Sequence, residues 1–332
     1  MNNNDLNLIK KLSELNGISG HEKDVASFIK EELKDSADEI FFDSLGSVIA
    51  KQSGKENAPT IMLSAHIDEV GFVVSKIEDS GFLRMSPIGG WWPHVVLAQQ
   101  FIVTNKLGKK YFAVTGAEPP HGRTREEMKK VLDFNDMYLD LGVSSKEDII
   151  NLGIEIGDPI TPYIDFKVLN DGSSLLGKAF DDRLGVAVAI KAFKKLKNTN
   201  HDANLYFSGT VQEEIGCKGA KTSSYMIKPD IALAIDVTSS YDVPDSPNYP
   251  CKLNSGVSLS IVDGGLIAHR GLFNFVEDIA KKNNIRYTYD LLTAGATDAK
   301  EISVQNSGVI SLTVSIPCRY YHSHVSIINY ND

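Results

Sequence analysis

Four short apolar runs constrain this chain most: residues 60–65 (TIMLSA), 205–211 (LYFSGTV), 231–235 (IALAI) and 309–316 (VISLTVSI). Each is bounded by polar residues or proline, and each is apolar on successive positions, so both of its faces need cover. That is the pattern of a strand buried inside a parallel sheet. Helical periodicity separates some of them. Leu184, Val188, Ile190, Phe193 and Leu196 recur over residues 182–196, and Leu272, Phe275, Val276 and Ile279 over 266–282. Strands alternating with helices predict an α/β fold, an open and mostly parallel sheet with helices on both faces. Two further helices are expected near the start. One begins at Asp5, a potential cap, and stops at Asn16-Gly17; the other covers residues 21–33.

Residues 70–165 break the pattern. Residues 71–77, a polar turn at 78–81 and residues 82–85 read as a hairpin, and a second lies at 101–114, turning at Leu107-Gly108-Lys109. A stretch this long is not one loop, since structureless loops beyond ~15 residues are uncommon. Residues 1–69 and 166–332 are therefore expected to form the α/β domain, with 70–165 an inserted β-rich domain.

Composition narrows the class. The 332 residues are 42% hydrophobic and 23% charged, values typical of a soluble globular protein. A net charge of −9 argues against a broad phosphate-binding face, so no nucleic acid partner is expected. No apolar run approaches the ~18 residues of a membrane span. The start, MNNNDLNLIKKL, lacks the basic and apolar regions of a secretory signal, so a cytoplasmic location and no membrane partner are expected. Cys217, Cys251 and Cys318 are scattered and suggest neither a disulfide framework nor a metal spacing.

The acids and histidines carry the chemical signal. The first apolar run ends in His66-Ile67-Asp68, the second in Gln212-Glu213-Glu214, and the third in Asp236; His322 follows the last. Asp181-Asp182 precedes a helix. Alone, each motif is weak. In an open α/β sheet, however, ligands bind beyond the carboxyl ends of the strands, where all eight side chains would converge. Six clustered carboxylates repel unless cations compensate them. Two histidines among them suit zinc, cobalt or manganese better than magnesium or calcium. The donor count exceeds one tetrahedral site and fits two metals sharing a carboxylate. Asp68 can hold the His66 ring from behind, and one of Glu213 and Glu214 can bind metal while the other takes a proton.

The motifs Ser64-Ala65-His66-Ile67-Asp68-Glu69-Val70-Gly71-Phe72, Gly177-Lys178-Ala179-Phe180-Asp181-Asp182-Arg183-Leu184-Gly185, Thr210-Val211-Gln212-Glu213-Glu214-Ile215-Gly216, Asp236-Val237-Thr238 and Arg319-Tyr320-Tyr321-His322-Ser323 resemble the M42 family of dinuclear metallo-aminopeptidases, some once labelled endoglucanases. Gly17-Ile18-Ser19-Gly20-His21-Glu22 and Pro119-Pro120-His121 extend the resemblance over nearly the whole chain. It implies a zinc-exopeptidase fold and removal of N-terminal residues from short peptides. It implies two divalent ions per subunit (zinc, cobalt or manganese): His66 and Asp236 would hold one, Glu214 and His322 the other, and Asp181 both. Glu213 would be the general base, and Asp68 would orient His66. The inserted domain would serve dimerisation, and the dimers would build a dodecamer. The chain departs from the family pattern at Lys300, after Gly295-Ala296-Thr297-Asp298-Ala299, and in having ten residues after His322 where relatives usually add a closing helix.

Other residues read more plainly. Trp91-Trp92-Pro93-His94 suggests packing within the insertion, Pro119-Pro120-His121 a rigid turn, and Cys217 a small packed side chain. Thr297-Asp298 is a candidate wall of the substrate pocket. Two other functions remain open at this point: a peptide-binding or assembly protein without turnover, and a glycosidase using Glu213 and Glu214. The glycosidase would leave both histidines unexplained.

Overall fold

Eight strands form the central sheet of the computed structural model, which describes residues 1–332 apart from Thr293. Their order is Glu39–Phe42, Val48–Gln52, Asn204–Thr210, Thr60–His66, Ile231–Ser239, Ile310–Cys318, Val257–Val262 and Tyr287–Leu291. The four apolar runs supply the four central strands, and these are parallel to one another. The flanks differ. Val48–Gln52 is antiparallel to both of its neighbours, and Val257–Val262 is antiparallel to Ile310–Cys318. The sheet is thus mixed, where the sequence predicts a mostly parallel one. At one edge the reason is local: only residues 43–47 link Glu39–Phe42 to Val48–Gln52, and so short a link permits only a hairpin.

Helices pack on both faces. Leu12, Ile29 and Phe193, from helices Asn3–Glu14, Lys23–Leu33 and Phe180–Lys197, cluster with Val48, Ala50, Ala65 and Phe207. Ile49 and Met62 point the other way and cluster with Ala220 and Ile227 of helix Lys218–Ile227 and Ile302 of helix Asp298–Ser303. The reversal from Val48 to Ile49 to Ala50 is the two-residue period of a strand covered on both sides. The first helix begins earlier than expected, because the Asn2 side chain accepts the Asn4 N–H and leaves Asp5 in the first turn. Helix Arg270–Lys282 begins later than residue 266, where His269 accepts the Leu272 N–H. No helix among the described residues is long and apolar enough to cross a membrane.

Between His66 and Asp181 the chain builds a closed six-stranded barrel, ordered Gly71–Ile77, Leu83–Ile88, Met137–Asp140, Lys110–Ala117, Gln100–Thr104 and Pro159–Pro162. Both expected hairpins are present. Closure is the work of Pro159–Pro162, which pairs with Gly71–Ile77 on one side and Gln100–Thr104 on the other. Phe72, Phe101, Val103, Met137 and Leu139 fill the barrel, and Trp91 stacks on Phe72 with ring centroids 4.9 Å apart. Beyond His322, Ser326–Asn329 pairs antiparallel with Ser174–Gly177, anchoring the segment that carries that histidine.

Candidate metal centre

The parallel register sets the candidate residues level. His66 ends its strand opposite Thr210, and the Ile231–Ser239 strand carries Asp236 opposite Ser315. Asp181 and Asp182 lie in the first turn of helix Phe180–Lys197, both with non-helical backbone angles. Glu213 and Glu214 lie beyond the end of the Asn204–Thr210 strand, in the turn leading to helix Lys218–Ile227.

These elements meet at Asp181. Its Oδ1 is 3.0 Å from His66 Nε2, and its Oδ2 is 3.3 Å from His322 Nε2. Glu214 Oε2 lies 3.6 Å from the same His322 nitrogen. His66, Asp181 and Glu214 each bring a ligand atom within 4.8 Å of the others, and so do His66, Asp182 and Asp236. The structure therefore gathers His66, Asp181, Glu214, Asp236 and His322 into one cluster, with Asp182 as a further member. Asp182 Oδ1 accepts the Gly185 N–H at 2.9 Å. Asp182 Oδ2 and Glu214 Oε1 are buried without a hydrogen-bond partner among the described residues.

The backbone sets the histidine tautomers. His322 Nδ1 is 2.8 Å from the Gly90 carbonyl oxygen, and His66 Nδ1 is 3.2 Å from that of Asp68. A carbonyl only accepts, so Nδ1 carries a proton on both rings; a carboxylate also only accepts, so each Nε2–H donates to Asp181, and Nε2 is the nitrogen left to bind a metal once that proton leaves. Gly90 belongs to a loop leaving the barrel, and that loop presses against the cluster. A Cβ at Gly90 would come within 3.1 Å of His322 Nδ1, and one at Gly89, where φ is +78°, within 3.2 Å of Glu214 Cβ. This wall is missed from sequence; its signal is the Gly89-Gly90 pair ahead of the two tryptophans.

A second layer surrounds the first. Asp68 is fully enclosed. It accepts hydrogen bonds from Ser19 Oγ at 2.6 Å and from the backbone N–H groups of Glu213 at 3.0 Å and Glu214 at 3.2 Å. Its own Oδ1 faces His66 Nδ1 at 3.5 Å. One carboxylate thus ties the His66 ring to the turn bearing both glutamates. Ser19 was visible only as part of the Gly17–Glu22 motif. Asp298 faces away from solvent, where its Oδ2 accepts hydrogen bonds from Ser64 Oγ and Thr210 Oγ1.

Electrostatics show what the cluster lacks. Burial, and then the neighbouring negative charges, push Glu213 and Glu214 up to about 8. Asp182 and Asp236 rise well above the usual carboxylate range, both first through burial, Asp182 then through the Asp236 charge and Asp236 then through the Asp181 charge. Burial alone would lower both histidines. Hydrogen bonds to Asp181 outweigh it, raising His66 well above its ordinary value and His322 to about 10. Burial opposes ionisation of Asp181, yet the same two histidines hold it below its ordinary value. The cluster has too many carboxylates for its positive charge, two of their oxygens without a hydrogen-bond partner among the described residues, and two imidazole Nε2 atoms aimed at one carboxylate. Nitrogen and carboxylate donors in this mixture fit zinc, cobalt or manganese.

The fold, a mixed α/β sheet with a small barrel, is shared with aminopeptidases of known structure. The TET aminopeptidase of Thaumarchaeota archaeon SCGC AB-539-E09 matches at a TM-score of 0.95 and 36% identity, over 99% of this chain and 92% of its own. The Pyrococcus horikoshii TET1 peptidase, which can assemble into a tetrahedron or a large octahedral shell, matches at 0.88 and 33%, over 99% and 95%. The lysyl aminopeptidase of Pyrococcus furiosus is 33% identical over 99% of this chain and 93% of its own length. The M42 glutamyl aminopeptidase model matches residues 46–332, and the chain belongs to that family. It is a peptide hydrolase of the aminopeptidase type.

Proposed function

We propose that this chain is a dinuclear metal-dependent aminopeptidase that removes N-terminal residues from short peptides, with Glu213 as general base. The Asp181 carboxylate carries this reading, since its two oxygens face the Nε2 atoms of two histidines. His66 and Asp236 would hold one divalent ion and Glu214 and His322 the second, with Asp181 shared between them. Such a pair supplies Lewis acidity at the scissile carbonyl and lowers the pKa of water.

The chain's own residues do the rest. Asp68 and the Gly90 carbonyl keep both Nδ1 atoms protonated, so both Nε2 atoms stay available. Asp68 also fixes the backbone of Glu213, which places the base. Glu213 takes a proton from the attacking water and passes it to the leaving amine. Self-association through residues 70–165, into dimers and a dodecamer, belongs to the same reading; what supports assembly is the similarity to the TET1 peptidase, which can assemble into a tetrahedron or a large octahedral shell. The preferred N-terminal residue does not transfer from relatives, since the family description says glutamyl while the Pyrococcus furiosus relative is a lysyl aminopeptidase.

A panel of aminoacyl p-nitroanilides, assayed with zinc, cobalt or manganese, tests the proposal. Hydrolysis is expected with at least one metal and is lost when the substrate's amino group is acetylated. Inertness toward the whole panel with all three metals would overturn it.

A further inference from the structure

Behind Glu213, away from the residues assigned above, lies a second group of donors. Cys217 is 4% exposed and Asp298 is 2% exposed. The Cys217 thiol donates to Glu213 Oε1 at 3.0 Å, and its sulfur is 3.6 Å from the Thr297 carbonyl oxygen. Glu213, Cys217 and Asp298 each bring a ligand atom within 4.8 Å of the others. Asp298 is held in place by the Ser64 and Thr210 hydroxyls, both 2.6 Å from its Oδ2. Its other oxygen is enclosed and has no hydrogen-bond partner among the described residues. A buried acceptor left unpaired is costly, and here it belongs to a carboxylate whose neighbours are a second carboxylate and a thiol.

We propose that Glu213, Cys217 and Asp298 form a further cation site, separate from the catalytic pair, that takes a thiophilic divalent ion such as cadmium or excess zinc. A tetrahedral ion with sulfur at ~2.3 Å and oxygen at ~2.0 Å spaces its ligand atoms roughly 3.5 Å apart, so shifts of about an ångström complete the site. The Thr297 carbonyl is within reach as a fourth donor. The thiol selects the ion, because sulfur favours zinc and cadmium over magnesium, calcium or manganese. As the sulfur–metal bond forms, the thiol proton leaves to solvent; nothing is oxidised or reduced. Cys251 and Cys318 join no comparable group among the described residues. An ion held there would draw Glu213 away from substrate and inhibit hydrolysis. That inhibition rests on Glu213 being the base, whereas binding of the ion does not.

The test uses the metal-loaded enzyme titrated with cadmium. Two signals are read together: the ultraviolet cadmium–thiolate charge-transfer band and the ions bound per subunit after dialysis. The wild type is expected to develop the band and to hold one more ion per subunit than Cys217→Ser, whose hydroxyl still donates to Glu213 but is a poor cadmium ligand. Asp298→Asn is expected to weaken cadmium binding by tenfold or more while keeping the amide within reach of Ser64 and Thr210. Equal ion counts and equal bands in the wild type and Cys217→Ser would overturn the site. The catalytic cluster contains no sulfur, so the band reports on this site even if the assignment of the catalytic metals is wrong.

Discussion

Asp68 Oδ1 accepts the backbone N–H of Glu213 at 3.0 Å, so the acid behind the first histidine also positions the proposed base. Through this bond, whatever disturbs Asp68 reaches both halves of the chemistry. Ser19 Oγ adds a buried side-chain hydrogen bond to that carboxylate. Ser19→Ala should lower metal affinity about 10–100-fold, as expected when the outer support of a liganding group is removed. Titration of the chelated variant with zinc or cobalt measures this; an affinity equal to wild type would remove Ser19 from the account.

Glu213→Gln should leave the bound metal unchanged and lower kcat by roughly 10²–10⁴-fold, the usual contribution of a general base. Elemental analysis and p-nitroanilide kinetics on the same preparation give both numbers. Retained turnover would assign the proton transfer to another group.

Asp181→Ala should cost more than turnover. Both imidazole Nε2 atoms lose the carboxylate they face. Bound metal should fall to one ion per subunit or fewer, read by elemental analysis after dialysis. A variant that keeps two tightly bound ions would show that Asp181 is not shared.

How much of this site was legible beforehand can be judged residue by residue. His66, Asp236 and the Glu213-Glu214 pair stood out because apolar runs long enough to be buried strands ended near them, and parallel strands bring such ends together. Asp182 was among the converging side chains, but the resemblance assigned a ligand role to Asp181 alone. Whether one or both acids of an adjacent pair face a site depends on the backbone angles of the first helical turn, which no spacing reveals. Ser19, Gly90 and Asp298 act through contacts with segments remote in the chain, and no local pattern encodes those partners. Cys217 reads as packing from its type alone; only its contact with Glu213 shows otherwise. In the fold, the hairpins of the insertion were readable from alternation. Barrel closure depended on Pro159–Pro162, too short and proline-rich to register as a strand.

Removing metal should give the protein a particular pH dependence. Glu213 and Glu214 are raised to about 8 and His322 to about 10 in the folded chain. Groups with raised folded-state values bind more protons folded than unfolded between the two values, so their stabilisation is full below the unfolded value and lost as pH rises. For the glutamates the loss runs from their ordinary value of 4.5 up to about 8, and for His322 from 6.5 up to about 10. The melting temperature of chelated protein should therefore fall between about pH 5 and pH 9, and added zinc or cobalt should restore it most at the alkaline end. A chelated protein whose melting temperature is flat or rises across that range would contradict the electrostatic reading of the cluster.

The most direct measurement is anomalous diffraction from crystals grown with zinc or cobalt. Two peaks are predicted on either side of the Asp181 carboxylate, one beside His66 and Asp236 and the other beside Glu214 and His322. A single peak, or none within coordinating distance of Asp181, would contradict the dinuclear centre on which the proposed chemistry rests.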